Sequence, residues 1–162
     1  MHREGHIGAA LAFYAPVGFI TALITTFEFA VLGAVLAGGL AMVPDLDMRV
    51  PFLKHRGITH TVHFAVAIGV GLGLIGVAVG VEGGVLAAAG LGLFGFTVGT
   101  GTILSHIAAD ALTPAGVDPL RRGETISYDV ARARNPLANY GLLILGGAVC
   151  LIAAMAAGML GA

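Results

Sequence analysis

The chain has 162 residues, a mean hydropathy of +0.96, 57% apolar residues and only 10% charged ones. A soluble domain of this length would carry about a quarter charged residues, so the composition excludes one and predicts a single integral membrane domain over residues 1–162. A net charge of −1 supplies no basic field, which excludes a general nucleic-acid binder.

Spanning a bilayer takes about 20 apolar residues. The first such stretch is residues 7–24, read as a membrane helix bent at Pro16 and not as a cleaved signal, because no small-x-small cleavage site follows it. Thr25–Glu28 is a turn, and residues 29–43 return as a short second span. Pro44 cannot continue a helix ladder, so residues 44–47 are expected to dip below the interface before a polar loop to Gly57. Residues 58–81 and 84–112 form the third and fourth spans, with Glu82-Gly83 between them and Thr113-Pro114 as the stop. A polar loop over 115–137 leads to a last span at 139–160. The expected fold is therefore an all-α helical bundle with about five spans. Gly69/Gly73, Gly76/Gly80 and Gly95/Gly99 are small-xxx-small pairs; packing of spans three and four on each other is the first reading and a homodimer face the second. The single cysteine, Cys150, cannot form an internal disulfide.

Polarity is confined to three patches, residues 1–6, 44–63 and 105–134. They hold all six histidines, all eight Lys/Arg and seven of the nine Asp/Glu, while Glu28 and Glu82 sit alone at the opposite turns. Five spans put all three patches on one side. The positive-inside rule makes that side cytoplasmic and sends the C-terminus out.

Within the patches, His106 and Asp110 are i,i+4 and project from one helix face. An ionised Asp in a membrane helix costs roughly 2.5–3.5 kcal/mol on insertion scales, a cost that persists only if something binds the charge. Asp45 and Asp47 are i,i+2 after Pro44; His55 and His60 flank the entry to the third span, and His6 precedes the first. These seven, His6, Asp45, Asp47, His55, His60, His106 and Asp110, are the candidate ligands of a divalent ion: zinc first, manganese or magnesium as alternatives, and one or two ions. Asp45 or Asp47 is expected to bridge metal or act as general base, and Arg56 to hold a phosphate oxygen. Thr59 is expected to cap the third helix, and Thr61 and Ser105 to hold ligand imidazoles. His2 is read as solvated, and His63 as a supporting or packing residue.

The blocks Glu-Gly-His at 4–6, Pro-Asp-Leu-Asp at 44–47, His-Arg-Gly-Ile-Thr-His-Thr at 55–61 and Ser-His-Ile-Ala-Ala-Asp-Ala-Leu-Thr-Pro-Ala-Gly-Val at 105–117 resemble, in order, the YdjM family. The resemblance implies a membrane-bound metal-dependent hydrolase with its polar site at the same seven residues; the family is also described as LexA-binding. A short segment between Asp47 and His55 departs from the pattern and is expected to narrow access. A more distant similarity to zinc-dependent phospholipases C and nucleases implies phosphoester hydrolysis by a metal-activated water, with a membrane lipid or lipid-linked substrate at headgroup depth. A non-catalytic metal-dependent binding or adaptor protein is the alternative. A transporter ranks last, because the span centres are almost purely apolar.

Overall fold

A computed structural model describes residues 1–161; Ala162, whose outward placement the sequence predicts, lies outside the described residues. Five α-helices follow in order: α1 (Arg3–Ile24), α2 (Phe27–Leu40), α3 (Val62–Gly80), α4 (Val85–Ala111) and α5 (Pro136–Met159). Short 3-10 turns lie at Pro44–Arg49, Ile58–His60 and Val81–Gly83, and no strand occurs among the described residues. The all-helical bundle read from the sequence is thus the observed fold, with five helices long and apolar enough to cross a membrane.

Local chemistry sets the helix ends. Thr26 caps α2 by accepting from the Phe29 N–H, and Asn135 caps α5 by accepting from Leu137 and Ala138, with Pro136 in the first turn. Gly84, at φ 90°, makes the tight reversal between α3 and α4 that other residues rarely adopt. Pro44 ends the second span in a 3-10 turn, where Pro44, Asp45 and Asp47 are buried. Helix α1 runs on through Pro16. It starts at Arg3, before the predicted Ile7, because polar residues at a span's mouth remain helical even where they leave the apolar window.

Side-chain burial is inverted relative to a soluble protein. The largest fully buried side chains include His6, His60, His106, Asp47, Asp110, Thr102, Thr113 and Asn139, whereas Leu74, Leu86, Leu137 and Ile144 face outward. Lipid is the solvent that makes this arrangement stable, since apolar surface costs nothing there and polar groups must find partners inside.

Two close helix pairs build the bundle. Between α3 and α4, a Cβ on Gly76 would collide with the Leu91 carbonyl, one on Gly95 with that of Leu72, and one on Gly99 with the Gly69 backbone. Between α1 and α5, Gly8 and Gly146 meet backbone to backbone in the same way. The paired glycines singled out in the sequence are therefore spent inside the chain. Helix α1 also packs on α2 and α4, with buried Tyr14 donating to the Ala30 carbonyl at 2.7 Å.

At one end of the bundle converge the starts of α1, α3 and α5 and the ends of α2 and α4. The segment 115–135 folds over this end: Tyr128 and Val130 donate to the Ala111 and Leu112 carbonyls left open by α4, and Val62 donates to Pro119. Ala65, Ile103, Ile107, Ala111 and Val117 pack beneath it.

Candidate metal centre

Each patch delivers its residues to this end by a different element. His6 sits one turn into α1, Asp45 and Asp47 on the 3-10 turn after α2, His60 on the turn before α3, and His106 and Asp110 on the last turns of α4. Asn139 ties the N-terminal segment down: its Oδ1 accepts from the His2 N–H at 2.8 Å, and its Nδ2 donates to the Ala133 and Asn135 carbonyls. His6, His60, His106, Asp47 and Asp110 are 0–1% exposed and Asp45 is 8% exposed.

The hydrogen bonds fix the proton positions. His106 Nδ1 lies 2.7 Å from the Ala41 carbonyl, which can only accept, so Nδ1 carries a proton and the neutral ring presents its lone pair at Nε2. The Thr59 hydroxyl donates to Asp47 Oδ2 at 2.7 Å, so at 3.0 Å from His60 Nδ1 it accepts that nitrogen's proton. In its neutral form His60 therefore also presents a lone pair at Nε2. These two Nε2 atoms face each other at 3.2 Å. Asp45 Oδ1 lies 3.3 Å from the first and 3.5 Å from the second, and Asp110 Oδ2 lies 3.6 Å from His60 Nε2.

With both rings neutral these atoms are all acceptors, and Asp110 Oδ2 is a buried oxygen without a hydrogen-bond partner. Such a set repels itself unless a cation joins it. Ligands held about 2.0–2.1 Å from a tetrahedral zinc stand about 3.3–3.4 Å apart, close to the 3.2, 3.3 and 3.5 Å among His60 Nε2, His106 Nε2 and Asp45 Oδ1, with Asp110 Oδ2 3.6 Å from His60 Nε2. Two imidazole nitrogens and two carboxylate oxygens are a zinc-compatible donor set, and the residues fit the ion.

His6, Asp45 and His106; Asp45, His55 and His60; and His60, His106 and Asp110 each form a group able to hold a metal ion. His6 stacks on His106 with ring centroids 3.6 Å apart, and its Nε2 lies 3.5 Å from Asp110 Oδ1. Its Nε2 also faces the Met1 carbonyl at 3.1 Å, while Nδ1 is buried without a partner. The Met1 amino group and Arg56 both contact Asp110 Oδ1, the guanidinium at 3.1 Å.

Six of the seven ligands named from the sequence therefore meet in these groups, with His55 at the solvent edge, its side chain 42% exposed. Asp47 lies beside them but outside all three. Its oxygens accept from His55 Nδ1 at 3.0 Å, the Arg56 N–H at 3.2 Å and the Thr59 hydroxyl. Arg56 is likewise partly committed, with a second nitrogen on the Gly116 carbonyl at 2.8 Å. Thr59 and Thr61 exchange the roles expected of them: Thr61 caps α3 by accepting from Phe64, and Thr59 orients His60. Ser105 bonds to the Thr102 carbonyl instead of an imidazole. His2 and His63 are exposed. The Ala41 carbonyl and Asn139 were not singled out. A backbone oxygen carries no side-chain signal, but an Asn inside an apolar span does.

These features define a class: a polytopic helical membrane protein with a buried His/Asp cluster, able to hold a metal ion, at one end of its bundle. The family model for YdjM inner membrane proteins matches residues 1–161, and the chain belongs to that family. No curated protein and no solved structure matches it.

Proposed function

We propose that this protein is a metal-dependent hydrolase of the inner membrane, cleaving a phosphoester or lipid headgroup bond at the cytoplasmic face, with its C-terminus outside. The observation that carries the reading is the buried cluster in which His60 Nε2 lies 3.2 Å from His106 Nε2, 3.3 Å from Asp45 Oδ1 and 3.6 Å from Asp110 Oδ2. These four atoms would hold the ion, zinc by their chemistry. A bound divalent ion supplies Lewis acidity and lowers the pKa of water to about 7.

The protein's own groups supply the rest. Asp47, through Thr59, holds the His60 ring in the tautomer that presents Nε2. Asp45 is the candidate general base, its Oδ2 lying 3.8 Å from His6 Nε2. Two of the five guanidinium donors of Arg56 are committed, and the others stabilise negative charge developing beside Asp110. Burial of the four donor residues favours a second reading, a closed metal site in a binding or adaptor protein without turnover, since catalytic sites keep an open position.

Detergent-purified protein should contain stoichiometric divalent ion by elemental analysis, and hydrolyse at least one member of a phosphoester and phospholipid panel until chelator is added. Metal without turnover would replace hydrolysis by the adaptor reading. Absence of metal, with no rise in melting temperature on adding zinc or manganese, would remove both.

A further inference from the structure

Beside the metal cluster, and sharing His55 and Arg56 with it, lies a polar cavity of 360 Å³. Lys54 and Arg56 line one wall; Gly116, Asp118, Arg121 and Gly123 line the other. Its only carboxylate is turned to the backbone: Asp118 accepts the Arg122 N–H at 3.1 Å and the Gly123 N–H at 2.8 Å, holding the turn. Among the described residues neither Lys54 nor Arg121 makes an ion pair. Arg56 is paired with Asp110, so two unpaired cations, Lys54 and Arg121, face the space with Asp118 as its one carboxylate.

Backbone conformation at this cavity is specialised too. Arg56 and Arg121 have φ of 61° and 55°, in the left-handed region that costs a residue with a Cβ, and Gly116 and Gly123 stand at 57° and 81°. Strain of this kind persists where it aims a side chain, and here it falls on two cations of one pocket.

We propose that this cavity is an anion subsite for a phosphate-type group, with Lys54 and Arg121 as its binding residues. The inference rests on the hydrolase reading in taking the anion to be part of the substrate. The volume exceeds a bare phosphate and admits a phosphoryl group with a small polar substituent. That group can belong to a lipid or to a soluble ester, and the outward Phe52 and Leu53 put apolar surface beside Lys54 for the first of these.

The test is calorimetric binding to protein in phosphatidylcholine nanodiscs, with inorganic phosphate and dihexanoyl phosphatidate as probes. Lys54→Gln and Arg121→Gln should each weaken binding about tenfold, the loss expected for one hydrogen bond to a charged group. Arg132→Gln, the same charge change outside this cavity, should stay within about twofold of wild type. Binding of phosphatidate alone assigns a lipid source, and comparable binding of inorganic phosphate a soluble one; both support the subsite. Failure of both probes to bind, wild-type affinity in both cavity variants, or an equal loss in Arg132→Gln would overturn it. Binding is read without turnover. Cavity-dependent binding by a protein that hydrolyses nothing leaves the subsite and removes the hydrolase; hydrolysis untouched by either variant does the reverse.

Discussion

At the residue scale, the cluster turns on two histidines whose Nδ1 protons are fixed by neighbours, so that both Nε2 lone pairs point at the same place. Removing a donor atom should remove the ion. His60→Ala and Asp110→Ala should each abolish stoichiometric metal in elemental analysis. Each should also forfeit the stabilisation a ligand gives the folded state, ~2.7 kcal/mol when free ion stands at a hundred times its Kd. His2→Ala, on an exposed side chain, should do neither. The Thr59 relay can be tested separately: Thr59→Val keeps the shape but breaks the link from His60 to Asp47, and should weaken metal affinity about 10–100-fold. Wild-type affinity in Thr59→Val would show that the relay does not orient the ring. The residues of the cluster and their order were legible in the sequence, because ionisable residues in apolar spans are costly enough to announce themselves. The partition between Asp45 and Asp47 was not. Both carry the same carboxylate, and only the fold gives one of them three donors of its own. The exchange of Thr59 and Thr61 has a similar cause: a 3-10 turn at Ile58–His60 delays the start of α3 by a few residues, and no side-chain pattern marks a turn that short.

At the element scale, small residues decide which helices meet. Glycines along α3 and α4 let these helices approach until backbone faces backbone, and Gly8 and Gly146 do the same for α1 and α5. The glycines are not equivalent, which makes the packing testable. Gly76 and Gly95 each have a partner carbonyl where a Cβ would go, whereas Gly71 and Gly147 have nothing within 4 Å. Gly76→Ala and Gly95→Ala should therefore cost about 1–3 kcal/mol, the usual penalty of overpacking. Gly71→Ala and Gly147→Ala should be neutral or stabilising by up to about 1 kcal/mol, since alanine is the better helix former. Thermal unfolding of the four variants in one detergent compares them directly, and equal effects at all four positions would contradict the close pairing. Spacing marks the α3–α4 seam in the sequence, because glycines four apart share a helix face, whereas Gly8 and Gly146 have no such partner in their own helices. The helix starts were less legible at the polar end, where residues such as Glu4 and His6 belong to α1 but lie outside any apolar window.

At the scale of the whole molecule, the chain is organised by its solvent. Every Lys and Arg lies at the end of the bundle that carries the His/Asp cluster or in the segments around it, and Glu28 and Glu82 mark the opposite turns. Composition made this legible, since an apolar exterior over a polar interior is what a bilayer selects. Orientation is a separate matter. It depends on the insertion machinery retaining positive loops in the cytoplasm, a bias of charge distribution that leaves no mark on the folded coordinates. Cysteine accessibility in intact cells decides it. With Cys150 replaced by serine, a single cysteine at Glu82 should react with a membrane-impermeant maleimide added outside, because that exposed residue sits on the turn between α3 and α4. A single cysteine at Lys54 or Arg122, both exposed on the site's side, should react only after permeabilisation. Labelling of Lys54→Cys and Arg122→Cys from outside, with Glu82→Cys protected, would turn the protein over and place the His/Asp cluster on the outer face. The substrate would then have to come from that side, and a cytoplasmic ester could no longer be the one cleaved.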